Sequence, residues 1–262
     1  MDAAFNEVAG AYDTSFTDTF TGREQRNAVW DYLRKNITAS NLKILEINCG
    51  TGEDALFLAS MGHYVYATDA SQKMIDVAVK KTDVKKYSDK ISFAVCSFDN
   101  LHGITGKYDL IFSNFGGLNC LSPEDLKNLS HTLSALLTEK GRLIAVVMPP
   151  FCAWEFFYFS CKLHFKKGLR RLGHQPVIIT LEGKDVPTWY HSASSMKNCL
   201  HASLKFYKSN AIGIAIPPSY LEPLVNRFQF LKPVLAKLEK WLGKFSWAGY
   251  ASDHLLLDFH KK

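Results

Sequence analysis

The first 150 residues alternate strand-length apolar runs with helix-length segments, and this alternation limits the possible folds more than any single motif. KILEIN (residues 43 to 48), HYVYATD (63 to 69), ISFAVC (91 to 96), YDLIFSN (108 to 114) and RLIAVVMP (142 to 149) read as strands. Residues 22 to 36 read as a helix with Ala28, Val29, Tyr32 and Leu33 on one side. A glycine turn after the first strand runs into a helix from Ala55 to Met61, closed by Gly62, and Met74, Val77 and Ala78 mark the next helix. PEDLKNLSHTLSALLTEKG (123 to 141) reads as a helix with a proline start and a glycine stop. Strands separated by helices pair in parallel through right-handed crossovers, with helices covering both faces. The expected fold class is therefore α/β, a doubly wound and mostly parallel sheet in a single domain, residues 1 to 262, led by an N-terminal helical cap (1 to 36).

The last third changes character. Residues 151 to 175 are rich in aromatic and then basic side chains, and residues 176 to 191 read as two strands around a Glu-Gly-Lys turn. A short helix from about Ser194, a strand within residues 203 to 216, one helix through residues 221 to 244 and a closing strand, HLLLDFHKK, complete the chain. The segments 151 to 190 and 217 to 248 read as insertions on the acceptor side of a site.

At 262 residues with 47% hydrophobic content, the chain is long enough to bury a sizeable core. Its 31 basic and 25 acidic residues leave a surplus too thin to indicate nucleic acid. Six cysteines without CxxC or metal-ligand spacing point to reduced thiols, a cytoplasmic setting and no metal. No export signal is visible at the N-terminus. The apolar stretch from 143 to 163 is broken by Pro149, Pro150 and Glu155, so no transmembrane segment is expected.

Ligands of parallel sheets bind where strands end and helix N-termini point outward. Glu46 to Gly52 sits at such an end, and Gly50 and Gly52 allow backbone to lie against a ligand. Asp69 ends the second strand, where a carboxylate can accept hydrogen bonds from both ribose hydroxyls.

With ILEINCGTG, YATDAS and HLLLDFHKK in these places, the chain resembles the class I S-adenosylmethionine-dependent methyltransferases. It is most similar to their small-molecule branch, whose A-x-x-YD opening is matched by AGAYD. The resemblance implies a seven-stranded sheet with an antiparallel last strand and S-adenosylmethionine as cofactor. It places Glu46 near the methionine amino group and Asn48, Cys49, Gly50 and Gly52 in the turn. Asp69 falls on the ribose, Ala70, Met74, Ser97 and Phe98 around the adenine, and Tyr12 and Arg26 over the methionine end. Ser113, Asn114 and Phe115 would line the passage to the acceptor. Asn48 replaces the family's usual first glycine, and Asn tolerates left-handed backbone better than most residues. Ser97 stands where many members carry an Asp to the adenine amino group.

Two other readings stay open. Gly50-x-Gly52-x-x-Ala55 also fits a loose nicotinamide-dinucleotide fingerprint, but Glu46, Glu53 and Asp54 crowd the spot where a pyrophosphate would lie and suit a cationic sulfonium better. The other is a non-catalytic scaffold that binds the cofactor.

Strand four ends in SNFGGLN and lacks the N/D-P-P-Y/F tetrad of base-methylating enzymes, so no nucleic-acid partner is expected. The aromatics Trp154, Phe156, Phe157, Tyr158, Phe159 and Phe165 either pack a lid or form an acceptor pocket, with peripheral membrane contact through the basic end. A small hydrophobic or aromatic acceptor, O-methylation, secondary metabolism and a monomer or homodimer are the resulting expectations. N- and C-methylation of a small molecule or lipid remain alternatives. His191, with Tyr190 second, is the expected proton acceptor, against a plain structural role. His102, His131, His174, His201, His254 and His260 read as solvated or structural.

Overall fold

The computed structural model describes residues 2 to 83 and 87 to 262. Its helices are α1 (Asp2–Val8), α2 (Phe20–Asn36), α3 (Glu53–Ser60), α4 (Gln72–Asp83), α5 (Pro123–Leu136), α6 (Ala153–Cys161), α7 (Phe165–Gly168), α8 (Ala193–Leu200), α9 (Glu222–Arg227) and α10 (Lys232–Leu242). The strands are β1 (Lys43–Ile47), β2 (Tyr64–Asp69), β3 (Ile91–Val95), β4 (Tyr108–Ser113), β5 (Leu137–Val147), β6 (Val177–Leu181), β7 (Lys184–Thr188), β8 (Leu204–Ile212) and β9 (His254–Lys261).

Seven strands form one sheet in the order β3-β2-β1-β4-β5-β9-β8, and β6 with β7 makes a separate hairpin. Strands β1 to β5 pair in parallel, while β9 runs antiparallel to both β5 and β8. The order reverses at β1, so the turns after β1 and β4 open side by side at the sheet's carboxyl end.

Alternate residues of each strand feed two cores. Leu45, Ile47 and Ile111 pack with Leu126, Leu129 and Leu133 of α5 and with Met196 and Leu200 of α8. Ile44, Val65, Leu110 and Phe112 pack on the opposite face with Val29 and Leu33 of α2 and with Ala55 and Leu58 of α3. Helix α2 thus belongs to a covering layer of the sheet, whereas α1 and the turn at Asp13–Thr17 bring residues over the site.

Two expected helices end differently. Helix α5 stops at Leu136 because Leu137 already pairs with Tyr108 in the sheet, and the register then shifts before Arg142 meets Leu110. Gly141 sits in that bulge, where a Cβ would come within 2.9 Å of Leu137 and of the Thr138 carbonyl, so it permits a tight bend and does not stop a helix. The segment from 221 to 244 is two helices joined by a 3-10 turn at Gln229–Leu231. Pro233 has no amide hydrogen, which suits the first turn of a new helix and not the interior of a long one.

Candidate active site

A cavity of about 340 Å³ opens at the carboxyl ends of β1, β2 and β4. Asn48 and Gly50 line it from the turn after β1, Asp69 and Ala70 from the end of β2, Met74 from α4, and Ser97, Phe98 and Asp99 from the loop after β3. Asn114, Phe115, Gly116 and Gly117 supply the β4 side, while Phe5 and Tyr12 close the cavity from the N-terminal segment. A smaller recess containing Arg26, Cys49 and Asp54 shares Tyr12, Asn48, Gly50, Asn114 and Phe115 with it.

The turn after β1 is built by side chains as much as by glycine. Asn48 has φ 55°, the left-handed conformation anticipated for it. Its Nδ2 donates to the Asn114 carbonyl (2.8 Å) and its Oδ1 accepts from Ser113 Oγ (2.6 Å), stitching the β1 turn to the β4 turn. Asp69 accepts the Gly50 amide through Oδ2 and the Ser71 amide through Oδ1, both at 2.9 Å, so it holds the turn from the other side. The two glycines differ. Gly50 (φ 54°) faces the cavity with open space around it, whereas Gly52 (φ 77°) caps α3 where a Cβ would lie 2.8 Å from Ala78. Gly52 therefore packs α3 onto α4 and does not line the cavity.

Charge pairing corrects the picture of three crowded carboxylates. Asp54 accepts from Arg26 Nη1, from Trp30 Nε1 (2.6 Å) and from Asn114 Nδ2 (3.0 Å). Glu53 pairs with Lys81 (3.2 Å), which also holds Asp13 (2.8 Å), and Asp13 accepts from Thr51 Oγ1 (2.6 Å). Glu46 forms no salt bridge among the described residues. It is 1% exposed, and its Oε2 has no hydrogen-bond partner among the described residues. Burial, reinforced by the charges of Asp54 and Asp69, pushes its pKa well above the usual carboxylate range despite the opposing pull of Arg26. Arg26, also buried, likewise has an unpartnered Nε. A buried acceptor and a buried donor are thus without partners among the described residues. An amino acid's ammonium and carboxylate groups are complementary to them.

Several expected residues lie elsewhere. Ser113 is fully buried behind the wall, and Cys49 lines only the recess, where burial first of all raises its thiol pKa. His191 is 1% exposed and does not line the cavity. Its Nε2 bonds the Leu121 carbonyl (3.0 Å), and burial depresses its pKa. Tyr190 packs under the Arg171 guanidinium, 5.1 Å from its ring centre. Neither side chain is presented to the site, because the turn after the β6-β7 hairpin is used to anchor to Met148 and Asn119.

A different histidine approaches the cavity. The His254 ring meets Phe115 edge-on with centroids 5.3 Å apart, and its Nδ1 is 3.3 Å from Asp253 Oδ2. Burial opposes charge on Asp253, but His254 and then Arg171 hold its carboxyl below the usual range. Position in the sheet, not local sequence, brings His254 against Phe115, although neither it nor Asp253 lines the cavity: β9 runs antiparallel, so its first residue lies at the carboxyl end of its neighbours. Asp99 was also missed, two residues beyond the serine that replaces the family's adenine-binding acid.

Residues 44 to 141 match a family model described as a methyltransferase domain. The chain's matches to curated relatives span less than two thirds of those proteins' own length. Over 100 residues the chain is 27% identical to the tRNA 5-carboxymethoxyuridine methyltransferase of Escherichia coli (strain K12), a match spanning 37% of this chain and 38% of that protein. It is also 27% identical over 146 residues to the demethylmenaquinone methyltransferase of Clavibacter sepedonicus, covering 55% and 56% of the two chains. Among solved structures, magnesium protoporphyrin IX methyltransferase from Synechocystis PCC 6803 with bound S-adenosylmethionine aligns over 100% of this chain and 95% of its own, with TM-score 0.59 and 15% identity. An S-adenosylmethionine-dependent methyltransferase from Mesorhizobium loti aligns over 89% and 97%, with TM-score 0.56 and 17% identity. These likenesses establish the methyltransferase fold. The cavity occupies the switch point of that fold, between the β1 and β4 turns.

Proposed function

We propose that the protein transfers a methyl group from S-adenosylmethionine to a small hydrophobic or aromatic acceptor, most readily at oxygen. The observation that carries this reading is that two buried atoms, Glu46 Oε2 and Arg26 Nε, lack partners among the described residues, the former two residues before the cavity-lining Asn48 and the latter in the adjoining recess. Glu46 and Arg26 would hold the ammonium and carboxylate ends of the methionine part, and Asp69 the ribose. Met74 and Phe98 would border the adenine, with Asp99 taking the place vacated at Ser97. Bound there, the cofactor supplies an electrophilic methyl group. Tyr12 and Phe115 cover the methionine end and exclude water. The segments from 151 to 190 and 217 to 248 serve the acceptor side.

Holding the acceptor in line supplies much of the acceleration in such a transfer. For an acceptor that must lose a proton, His254 is proposed over His191: its ring abuts Phe115, which lines the cavity, and its Nδ1 lies 3.3 Å from Asp253 Oδ2. His254→Ala is expected to lower turnover by roughly a hundredfold or more while leaving affinity for S-adenosylhomocysteine unchanged. His191→Ala should instead lower the unfolding temperature through loss of the Leu121 bond, with turnover retained. Full turnover of the His254 variant would remove this assignment.

Glu46 gives a pH signature. Its raised pKa means that burial of the charge costs folding stability, and this cost grows as pH rises from the unfolded value towards the folded one. A neighbouring ammonium lowers that pKa, so binding expels a proton, and affinity is expected to rise with pH until Glu46 is ionised in the free protein. Calorimetry of S-adenosylhomocysteine binding in two buffers of different ionisation enthalpy measures the proton. Glu46→Gln should abolish its release, weaken binding and raise the unfolding temperature of the ligand-free protein at neutral pH. Unaltered proton release in that variant would contradict the role.

The acceptor class is tested by incubating the protein with methyl-labelled S-adenosylmethionine and a panel of phenols, carboxylic acids, amines and bulk tRNA. Label in a small molecule supports the proposal. Label in tRNA alone overturns it in favour of the nucleic-acid reading, and tight cofactor binding with no label in any acceptor would favour a scaffold.

A further inference from the structure

Helix α10 is turned with its apolar stripe outward. Leu231 at the start of the helix, then Val234, Leu238 and Trp241, recur at three- and four-residue spacing, the geometry of a single helical face, and are 39% to 58% exposed, with Phe245 (40%) just beyond the helix end. The orientation is fixed from the other side. Glu239 is buried, and its carboxylate accepts the Gly213 amide (2.7 Å), the Ala215 amide (2.8 Å) and the Ile216 amide (3.1 Å) of the loop after β8. Rotating the stripe inward would break three charge-assisted bonds at a buried acid.

A second exposed apolar patch lies on the segment after β5. Phe157, Leu163 and Phe165 are more than half exposed, and Tyr220, just before α9, meets Tyr158 (6.0 Å) and Phe159 (6.4 Å) by ring contacts. Both segments leave the carboxyl ends of the strands, on the side where the cavity opens. Their charges are sorted by sign. Glu155 pairs with Arg170 and Arg171, Glu222 accepts the Phe20 and Thr21 amides, and Glu239 is committed as above. Lys237, Lys240 and Lys244 remain exposed on and just after α10, and Lys162, Lys166 and Lys167 in the segment after β5.

We infer that this face lies on an anionic bilayer, with α10 in the plane of the interface and the lysines among the headgroups. An in-plane helix of this kind buries its apolar face at the headgroup boundary and gains from basic flanks. Trp241, Trp247 and Tyr250, each more than half exposed, have the apolar body and polar edge suited to that boundary. A second copy fits less well, because a two-fold interface would bring the lysine-flanked stripe against itself. The surface stands independently of what is methylated; combined with the proposed function, it supplies the acceptor from within the membrane.

Flotation with phosphatidylcholine vesicles, with and without phosphatidylglycerol, tests the inference in the absence of any methyl donor. Wild-type protein should float with the anionic vesicles, less so as salt is added. Lys237→Glu/Lys240→Glu/Lys244→Glu should reduce partitioning by roughly a hundredfold or more, and Leu238→Ser/Trp241→Ser by about tenfold or more. Both variants should keep wild-type affinity for S-adenosylhomocysteine, which reports an intact fold and a cofactor site separate from this face. Failure of the wild-type protein to float overturns the inference, as does flotation insensitive to both variants. A stable dimer by sedimentation with no flotation would reassign the face to contact between copies.

Discussion

Asp69→Ala should weaken binding of S-adenosylhomocysteine by about 3 to 4 kcal/mol, between roughly a hundredfold and a thousandfold. The side chain has two tasks. It accepts the Gly50 and Ser71 amides, which shapes the turn after β1 before any ligand arrives, and it lines the cavity where the ribose is proposed to lie. Alanine removes the proposed contact and also leaves two amides short of an acceptor. Asp69→Asn should recover part of the loss, because its one carbonyl oxygen can accept from only one side of the site. Calorimetric titration of both variants checks the order wild type, asparagine, alanine. Equal affinities across the three would show that the ribose is not held at the end of β2.

Gly117→Ala is expected to destabilise the fold by about 2 to 3 kcal/mol, as an overpacked position. An added Cβ would fall 2.2 Å from Asn48 Cγ and 2.5 Å from its Nδ2 and Oδ1. It would collide with the side chain that bridges Ser113 and Asn114. Asn48→Gly removes the obstacle and suits the left-handed backbone, but gives up both bridging bonds. The double variant should therefore be more stable than the sum of the single effects allows, by about 1 to 2 kcal/mol in a double-mutant cycle. Urea unfolding of the four proteins measures this coupling. Strict additivity would mean that the two turns are not joined through Asn48.

The parallel half of the fold was legible because each strand is a compact apolar run with turn residues at its ends, and because strand-helix alternation leaves few topologies. The antiparallel entry of β9 was implied by the family resemblance and not by local pattern. Where the reading slipped, tertiary pairing overrode local signals. Leu137 joined the sheet within a segment that reads as helix, and Pro233 restarted a helix that appeared continuous.

Much the same division holds at the site. Asn48, Gly50, Asp69, Ala70, Met74, Ser97, Phe98, Asn114 and Phe115 all reach the cavity, since their places follow directly from strand ends. Charge compensation was not legible, because Arg26 meets Asp54, and Lys81 meets Glu53 and Asp13, only through packing. His254 escaped notice for a related reason. A histidine at the start of an edge-proximal strand carries no local signature, and only the antiparallel direction of β9 turns it towards Phe115. His191 has the more suggestive local sequence, yet its ring is spent on a backbone carbonyl.

A crystal structure of the complex with S-adenosylhomocysteine tests the whole account most directly. It should show the ribose hydroxyls against Asp69, the amino-acid end between Glu46 and Arg26, and the sulfur directed towards Phe115. A ligand bound outside this cavity, or a protein that takes up none at saturating concentration, would contradict it.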